Sequence, residues 1–232
     1  MGAQAKNFFP ILAAAILTAT ILSGANAQSS APQMVMTWQA YGSYVPAGYK
    51  DKALPNQESE LTASLALLSN GKPVDLSGQT IYWYLDNTPI GNTLGGQYII
   101  FSPIGTAPAF LTLKAELPNY HGNLLTHDIQ IPLVSPKAVI ASPHPTGQSS
   151  QNPITLRGVP YFFYTSDPST LSYAWSVNGQ VSTSTENPGT LQINLDPAMS
   201  SGSSLAISLS IVNPNDSMSS NDSTNIVYLK QL

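Results

Sequence analysis

One short phrase occurs twice in this chain. Ile81-Tyr82-Trp83-Tyr84-Leu85-Asp86-Asn87 returns as Tyr173-Ala174-Trp175-Ser176-Val177-Asn178-Gly179. In each copy a tryptophan lies on an alternating run that ends in residues suited to a tight turn. The tryptophans are 92 residues apart (175 − 83), about the length of one small β-sandwich domain. The repeat predicts two copies of an antiparallel module. Trp83 and Trp175, flanked by inward-facing Ile81 and Leu85 or Tyr173 and Val177, are expected to define their cores.

The rest of the pattern agrees. Leu61, Ala63, Leu65 and Leu67 share one face of a period-two run, as do Leu111, Leu113, Ala115 and Leu117. The latter four match Leu205, Ile207, Leu209 and Ile211 at an offset of 94, and Ile99 and Phe101 match Ile193 and Leu195 at the same offset. A two-residue insertion between the tryptophans and these runs accounts for the change from 92. Asn70-Gly71-Lys72-Pro73 and Pro118-Asn119-Tyr120-His121-Gly122 are predicted turns or loops. The fold class expected is all-β, two tandem antiparallel sandwiches with almost no helix. The modules are assigned to 28–135 and 136–232, with the boundary at Ser135-Pro136. Pro132 and Pro136 stiffen that short joint.

Residues 1–27 read as an export signal. Lys6 precedes an apolar run from Phe8 to Leu22, and Ala25-Asn26-Ala27 forms an A-x-A site with cleavage expected before Gln28. A run of about fifteen residues is short for a span of about 20. An uncleaved N-terminal anchor is the alternative. Either way the chain is expected to be extracytoplasmic, secreted or held by its N-terminus. It has no cysteine, so its cores must hold by burial without disulfides.

Only 9% of residues are charged, and the net charge is −4 with eight Lys and Arg. Such a chain offers no basic footprint for nucleic acid, nor for an anionic membrane face. Catalytic frames are equally scarce. His121, His127 and His144 fit no H-E-x-x-H frame, and no G-x-S-x-G elbow is present. His121 and His127 with Glu116 and Asp128 match no common metal-ligand spacing. Asp51, Glu58, Glu60 and Asp75 lie in polar turn or strand-edge settings that ordinary solvation explains. No catalytic, cofactor-binding or metal residue is therefore assigned. Asn213, Asn215, Asp216, Asn221 and Asp222 could supply oxygen ligands to a loop calcium, although Asx turns account for the same composition.

The Trp-strand-turn phrases resemble those of tandem immunoglobulin-like proteins of bacterial surfaces, particularly polycystic-kidney-disease (PKD)-type modules. Tyr173-x-Trp175-x-Val177-Asn178-Gly179 and Ile81-x-Trp83-x-Leu85-Asp86-Asn87 carry the resemblance, which covers about residues 34–232. The Gly-Asp-Gly turn of PKD modules and the antibody cysteine pair are both absent. The resemblance implies adhesion, spacing or surface assembly with a protein or glycan partner, and no catalysis.

Two aromatic segments stand outside the shared framework. Tyr41, Tyr44 and Tyr49 lie among Gly, Ser and Pro, and Tyr82 and Tyr84 point out of their strand. Tyrosines with small neighbours make adaptable contacts, so these five are the candidate ligand contacts of a carbohydrate-binding alternative. The competing reading has the 41–49 segment covering a sheet edge or end. Val159 to Thr165, expected as the second strand of the second module, is aromatic on both faces. An inter-module contact is the favoured explanation, with a ligand surface the alternative.

Overall fold

The computed structural model describes residues 31–95, 98–104, 109–182, 187–216 and 218–230. The export-signal assignment at 1–27 falls outside them. Among the described residues no helix is long and apolar enough to cross a membrane.

Among the described residues the N-terminal half is built from eight strands. These are β1 (Gln33–Tyr41), β2 (Glu60–Ser69), β3 (Lys72–Pro73), β4 (Thr80–Leu85), β5 (Thr88–Leu94), β6 (Ile99–Phe101), β7 (Phe110–Tyr120) and β8 (Asn123–Pro132). One sheet is ordered β1-β2-β3 with β6 also on β2, and the other β5-β4-β7-β8. Period-two alternation puts Leu61, Ala63, Leu65 and Leu67 of the first sheet against Trp83, Leu111, Leu113 and Ile131 of the second. Both layers contribute to one core, as a sandwich requires.

The C-terminal half repeats the plan. Its strands are β9 (Lys137–Ala141), β10 (Gln148–Ser149), β11 (Ile154–Tyr161), β12 (Ser172–Val177), β13 (Gln180–Ser182), β14 (Thr190–Ile193), β15 (Ser204–Val212) and β16 (Ser219–Tyr228). One sheet is ordered β14-β11-β9 and the other β10-β16-β15-β12-β13, with β10 parallel to β16 and all other pairs antiparallel. A second core gathers Leu156, Phe163, Trp175, Leu191, Leu209 and Ile226. Leaving out the two-residue strands, the first, second and fifth strands of each half form one sheet, and the tryptophan strand pairs with the strand that follows it across the turn and with the next-to-last strand. This is the strand distribution of immunoglobulin-like sandwiches.

The repeat extends to hydrogen bonds. Trp83 faces Ala115 and Trp175 faces Leu209, so register places the offset at 92 on the tryptophan strand and 94 on its partner (209 − 115). Asp86 and Asn87, with φ of 47° and 66°, make the two-residue turn into β5, and Asn178 and Gly179, at 51° and 78°, make the matching turn into β13. Two consecutive left-handed residues give the I′ geometry that suits strand twist, which is why Asp-Asn and Asn-Gly follow the tryptophan strands. The first turn residue then ties the hairpin to the next long strand. Thr112 N donates to Asp86 Oδ1 at 2.8 Å, and Ala206 N to Asn178 Oδ1 at 2.9 Å.

Two local expectations change. Pro118 to Tyr120 belong to β7, whose ladder carries an irregularity between Leu117 and Tyr120, and only His121-Gly122 forms the turn. The second long strand of the C-terminal half is β11, Ile154–Tyr161, not Val159 to Thr165. Phe162 takes φ 59°, a left-handed conformation that ends the strand. After β9, Gln148–Ser149 pair in parallel with Val227 and Tyr228.

Candidate functional site

The two halves meet through a strap that leaves β1 and a segment that leaves β11. Ser43 and Tyr164 form an antiparallel bridge. Around it Tyr44 N donates to Phe163 O (2.9 Å), Phe162 N to Tyr44 O (2.6 Å) and Thr165 N to Gly42 O (2.9 Å). The joint is thus a short piece of β-ladder, and its two contributors are about 120 residues apart in the sequence. Phe163 points inward and is wholly buried in the second core, anchoring the segment.

Two asparagines fix this ladder from either side. Asn56 is completely buried, and its Nδ2 donates to Phe162 O at 2.7 Å. Its Oδ1 accepts from Glu58 N and Ser59 Oγ, and its own N–H donates to Ser59 Oγ. Every polar group of that side chain is engaged, as burial demands. On the other side Asn213 Nδ2 donates to Tyr164 O at 2.9 Å. Val134 N also donates to Pro55 O (3.0 Å), holding the strap against the segment that links the halves.

The candidate tyrosines separate into two groups. Tyr82 and Tyr84 stand on the outer face of β4, whereas Tyr41, Tyr44 and Tyr49 belong to β1 and the strap. Tyr41 is exposed at the end of β1. Tyr49 packs edge-on against Tyr161 (6.2 Å) and Phe162 (5.9 Å), and Tyr44 lines a cleft beside the joint. The strap therefore joins the two halves, a use that its aromatic composition alone left open. Trp38 is partly buried against the first core, with Lys52 Nζ 3.2 Å from its ring centre and bonded to its carbonyl. Burial lowers the Lys52 ammonium pKa.

Tyr84 belongs to a small surface network. Lys114 Nζ lies 2.9 Å from Glu116 Oε1 and 4.4 Å from the Tyr84 ring centre, and the Tyr84 hydroxyl bonds to Glu116. The Lys114 bond, ahead of that from Tyr84, lowers the Glu116 pKa, while the Glu116 bond raises that of Tyr84. A depressed carboxylate pKa contributes stability above its unfolded value, lost as pH falls through the folded one. Lys114→Met is accordingly expected to move the Glu116 titration up toward the ordinary carboxylate range. An NMR titration of the Glu116 side chain checks this, and an unmoved midpoint would contradict it.

The polar clusters noted in the sequence are drawn into structural bonds or kept apart. Alternation places His127 on the face of β8 opposite Asp128, while Glu116 is paired with Lys114. Asn213 Oδ1 accepts from Asn215 N, and Asp216 Oδ1 from Met218 N. Asp222 Oδ2 accepts from Ile140 N at 2.6 Å, and Ser220 Oγ from Ala138 N at 3.0 Å. These two bonds satisfy the outer edge of β9 with side chains from β16, a pairing across sheets that residue order does not reveal. Among the described residues no group of three or more His, Asp or Glu is arranged to hold a metal.

The cleft beside the joint has a volume of about 640 Å³. Tyr44, Pro46 and Ala47 of the strap line one side, and Arg157, Tyr161, Tyr173 and Pro188 of the C-terminal half line the other. The sequence signal that could have found it is Arg157, the chain's sole arginine, on a strand whose other residues carry no charge.

No family model and no curated protein matches this chain. Among solved structures, it is similar to three N-terminal domains of the highly immunogenic outer capsid protein of bacteriophage RB49. The identity is 14%, the TM-score 0.44, and the match covers 84% of this chain and 59% of that one. The C-terminal 282-residue fragment of intimin, solved with the intimin-binding domain of its translocated receptor, gives 11%, 0.29, and 84% and 64%. The N-terminal Ig1-2 module of the Drosophila receptor protein tyrosine phosphatase DLAR gives 13%, 0.28, and 85% and 98%. The chain thus spans less than two thirds of the length of the first two. Its own strand order and paired cores make it an all-β, immunoglobulin-like antiparallel sandwich protein.

Proposed function

We propose that the protein is an exported, non-enzymatic surface protein of tandem immunoglobulin-like modules, related to PKD-type modules, that spaces or assembles a partner at the cell surface. The observation that carries this reading is the joint. A spacer must hold its modules at a set angle, and backbone pairing of Gly42 to Tyr44 with Phe162 to Thr165 supplies what a simple linker lacks. Asn56 and Asn213 reinforce the pairing from both sides. The polar surface, poor in charge, suits a structural role, and the aromatic outer residues Tyr82 and Tyr84 give an adhesive surface.

Gly42 provides the test. It has φ +82°, and an added Cβ would lie 2.2 Å from Cε2 and 2.5 Å from Cδ2 of the Tyr164 ring. Gly42→Val is expected to open the joint while both cores persist. Small-angle scattering should report one narrow conformation for the native protein and a wider distribution of lengths for the variant. A native protein already as broad as the variant would sink the spacer reading. Measured turnover of an ester, peptide or glycoside would remove its non-enzymatic part.

A further inference from the structure

We infer that the cleft between the strap and the C-terminal sandwich is a binding site for an acidic, uronic-acid-containing glycan. This goes beyond the spacing role and does not depend on it. The first observation is charge. Arg157 is exposed in the wall of the cleft and, among the described residues, makes no ion pair or side-chain hydrogen bond. The other described lining residues include no acidic side chain. Asp167, next in the chain to the lining residue Pro168, is occupied by the N–H and hydroxyl of Ser169 at 2.9 and 2.8 Å. A planar guanidinium with free donors is matched in geometry and charge by a carboxylate.

The second observation is the fixed aromatic surround. Tyr44, Tyr161 and Tyr173 line the cleft. Tyr161 is held edge-on by Tyr49, and the Tyr173 hydroxyl donates to Pro168 O at 3.1 Å. Behind them Trp175 Nε1 donates to Pro188 O at 2.9 Å and sets the opposite lip. Rings already held in place lose little freedom on binding, and their flat faces suit the C–H faces of a sugar ring. The volume of about 640 Å³ fits a ligand of small-oligosaccharide size.

The backbone argues against an added peptide strand. Gly158 N donates across to Gly189 O at 2.8 Å, so alternation directs the next residue facing that side, Pro160, toward the cleft. Proline has no N–H, so this edge cannot continue a ladder with an incoming strand. Neutral glycans would use the tyrosines and leave the guanidinium without a partner. The carboxylated sugar engages both.

Calorimetric titration of the whole protein with trigalacturonate is the test, with maltotriose as the neutral control and a proline-rich peptide as the competing class. Trigalacturonate is expected to bind in the millimolar range or tighter, and Arg157→Gln to weaken it about tenfold or more, the scale of losing charged hydrogen bonds. Arg157→Lys should recover only part of the loss, because an ammonium cannot make the fork. Binding of maltotriose or the peptide as tight as trigalacturonate would overturn the proposal, as would an Arg157→Gln protein with native affinity. Absence of trigalacturonate binding up to about 10 mM would do the same. Unchanged scattering of the Arg157→Gln protein keeps a lost ligand distinct from a lost joint.

Discussion

Trp83→Ala is expected to destabilise the N-terminal half by about 3–5 kcal/mol, the range for removing a large aromatic from a packed core. Trp83 has no exposed surface, and it is packed in the cluster formed by Ile81, Leu85, Leu111, Leu113 and Ile131. Its indole N–H donates to Thr93 Oγ1 at 3.0 Å, which also ties β4 to β5. Alanine would leave a cavity between two sheets that the ladders β4-β5 and β4-β7 keep from collapsing. A loss of that size is a large part of a single domain's stability. Hydrogen exchange is the measurement. Protection should fall across β2, β4 and β7 while β12 and β15 keep theirs, because the two cores share no buried residue. A loss under about 1 kcal/mol would show that Trp83 is not the centre of its core. Equal loss in β12 and β15 would show that the cores unfold as one.

The tryptophan strands were legible because two independent signals agree there. Alternation fixed which side faces inward, and Asp86-Asn87 and Asn178-Gly179 marked where each strand turns. The 92-to-94 step was legible too, since it shifts whole runs of apolar residues between strands. What linked those strands across the fold was not. Asp86 and Asn178 read as turn residues, yet each also accepts from the next long strand, at Thr112 N and Ala206 N. A side chain's distant partner leaves no local pattern.

The joint was harder for the same reason. Tyr161-Phe162-Phe163-Tyr164 resembles a strand by composition, and its excess aromatic surface correctly suggested a second contact surface. The positive φ at Phe162 breaks the strand, and no propensity predicts it, because tertiary bonds to Tyr44 and Asn56 hold it in place. The strap divides its tyrosines. Tyr41, Tyr44 and Tyr49 looked like one contact surface, but Tyr49 packs internally on Tyr161 and Phe162, Tyr44 faces the cleft, and Tyr41 remains exposed. Arg157 carried no motif at all. Being the chain's sole arginine marked it, and the tyrosines that folding brings around it give it a setting.

Asn56→Ala should release the joint more completely than any change to an exposed residue. The asparagine is fully buried, and its amide links the strap to the C-terminal half by one short bond to Phe162 O. Removing it leaves that carbonyl without its amide donor and strips Glu58 N and Ser59 Oγ of their acceptor. Each buried group left unsatisfied costs about 1–3 kcal/mol, so a combined loss of about 2–5 kcal/mol is expected. Most of it falls on the joint, because Asn56 lies in the strap and not in either apolar cluster. Phe162 is then free to leave its left-handed conformation, and the ladder at Ser43 and Tyr164 loses the geometry that aligns it. The expected signature is rapid hydrogen exchange at Tyr44, Phe162 and Thr165 with little change in β7 or β15. Asn56→Asp separates the bonds from the volume. It keeps the acceptor for Glu58 N but puts a carboxylate oxygen against Phe162 O, so its joint should open as in the alanine variant. A native exchange pattern in Asn56→Asp would mean that shape, and not the amide's bond to Phe162, holds the halves together.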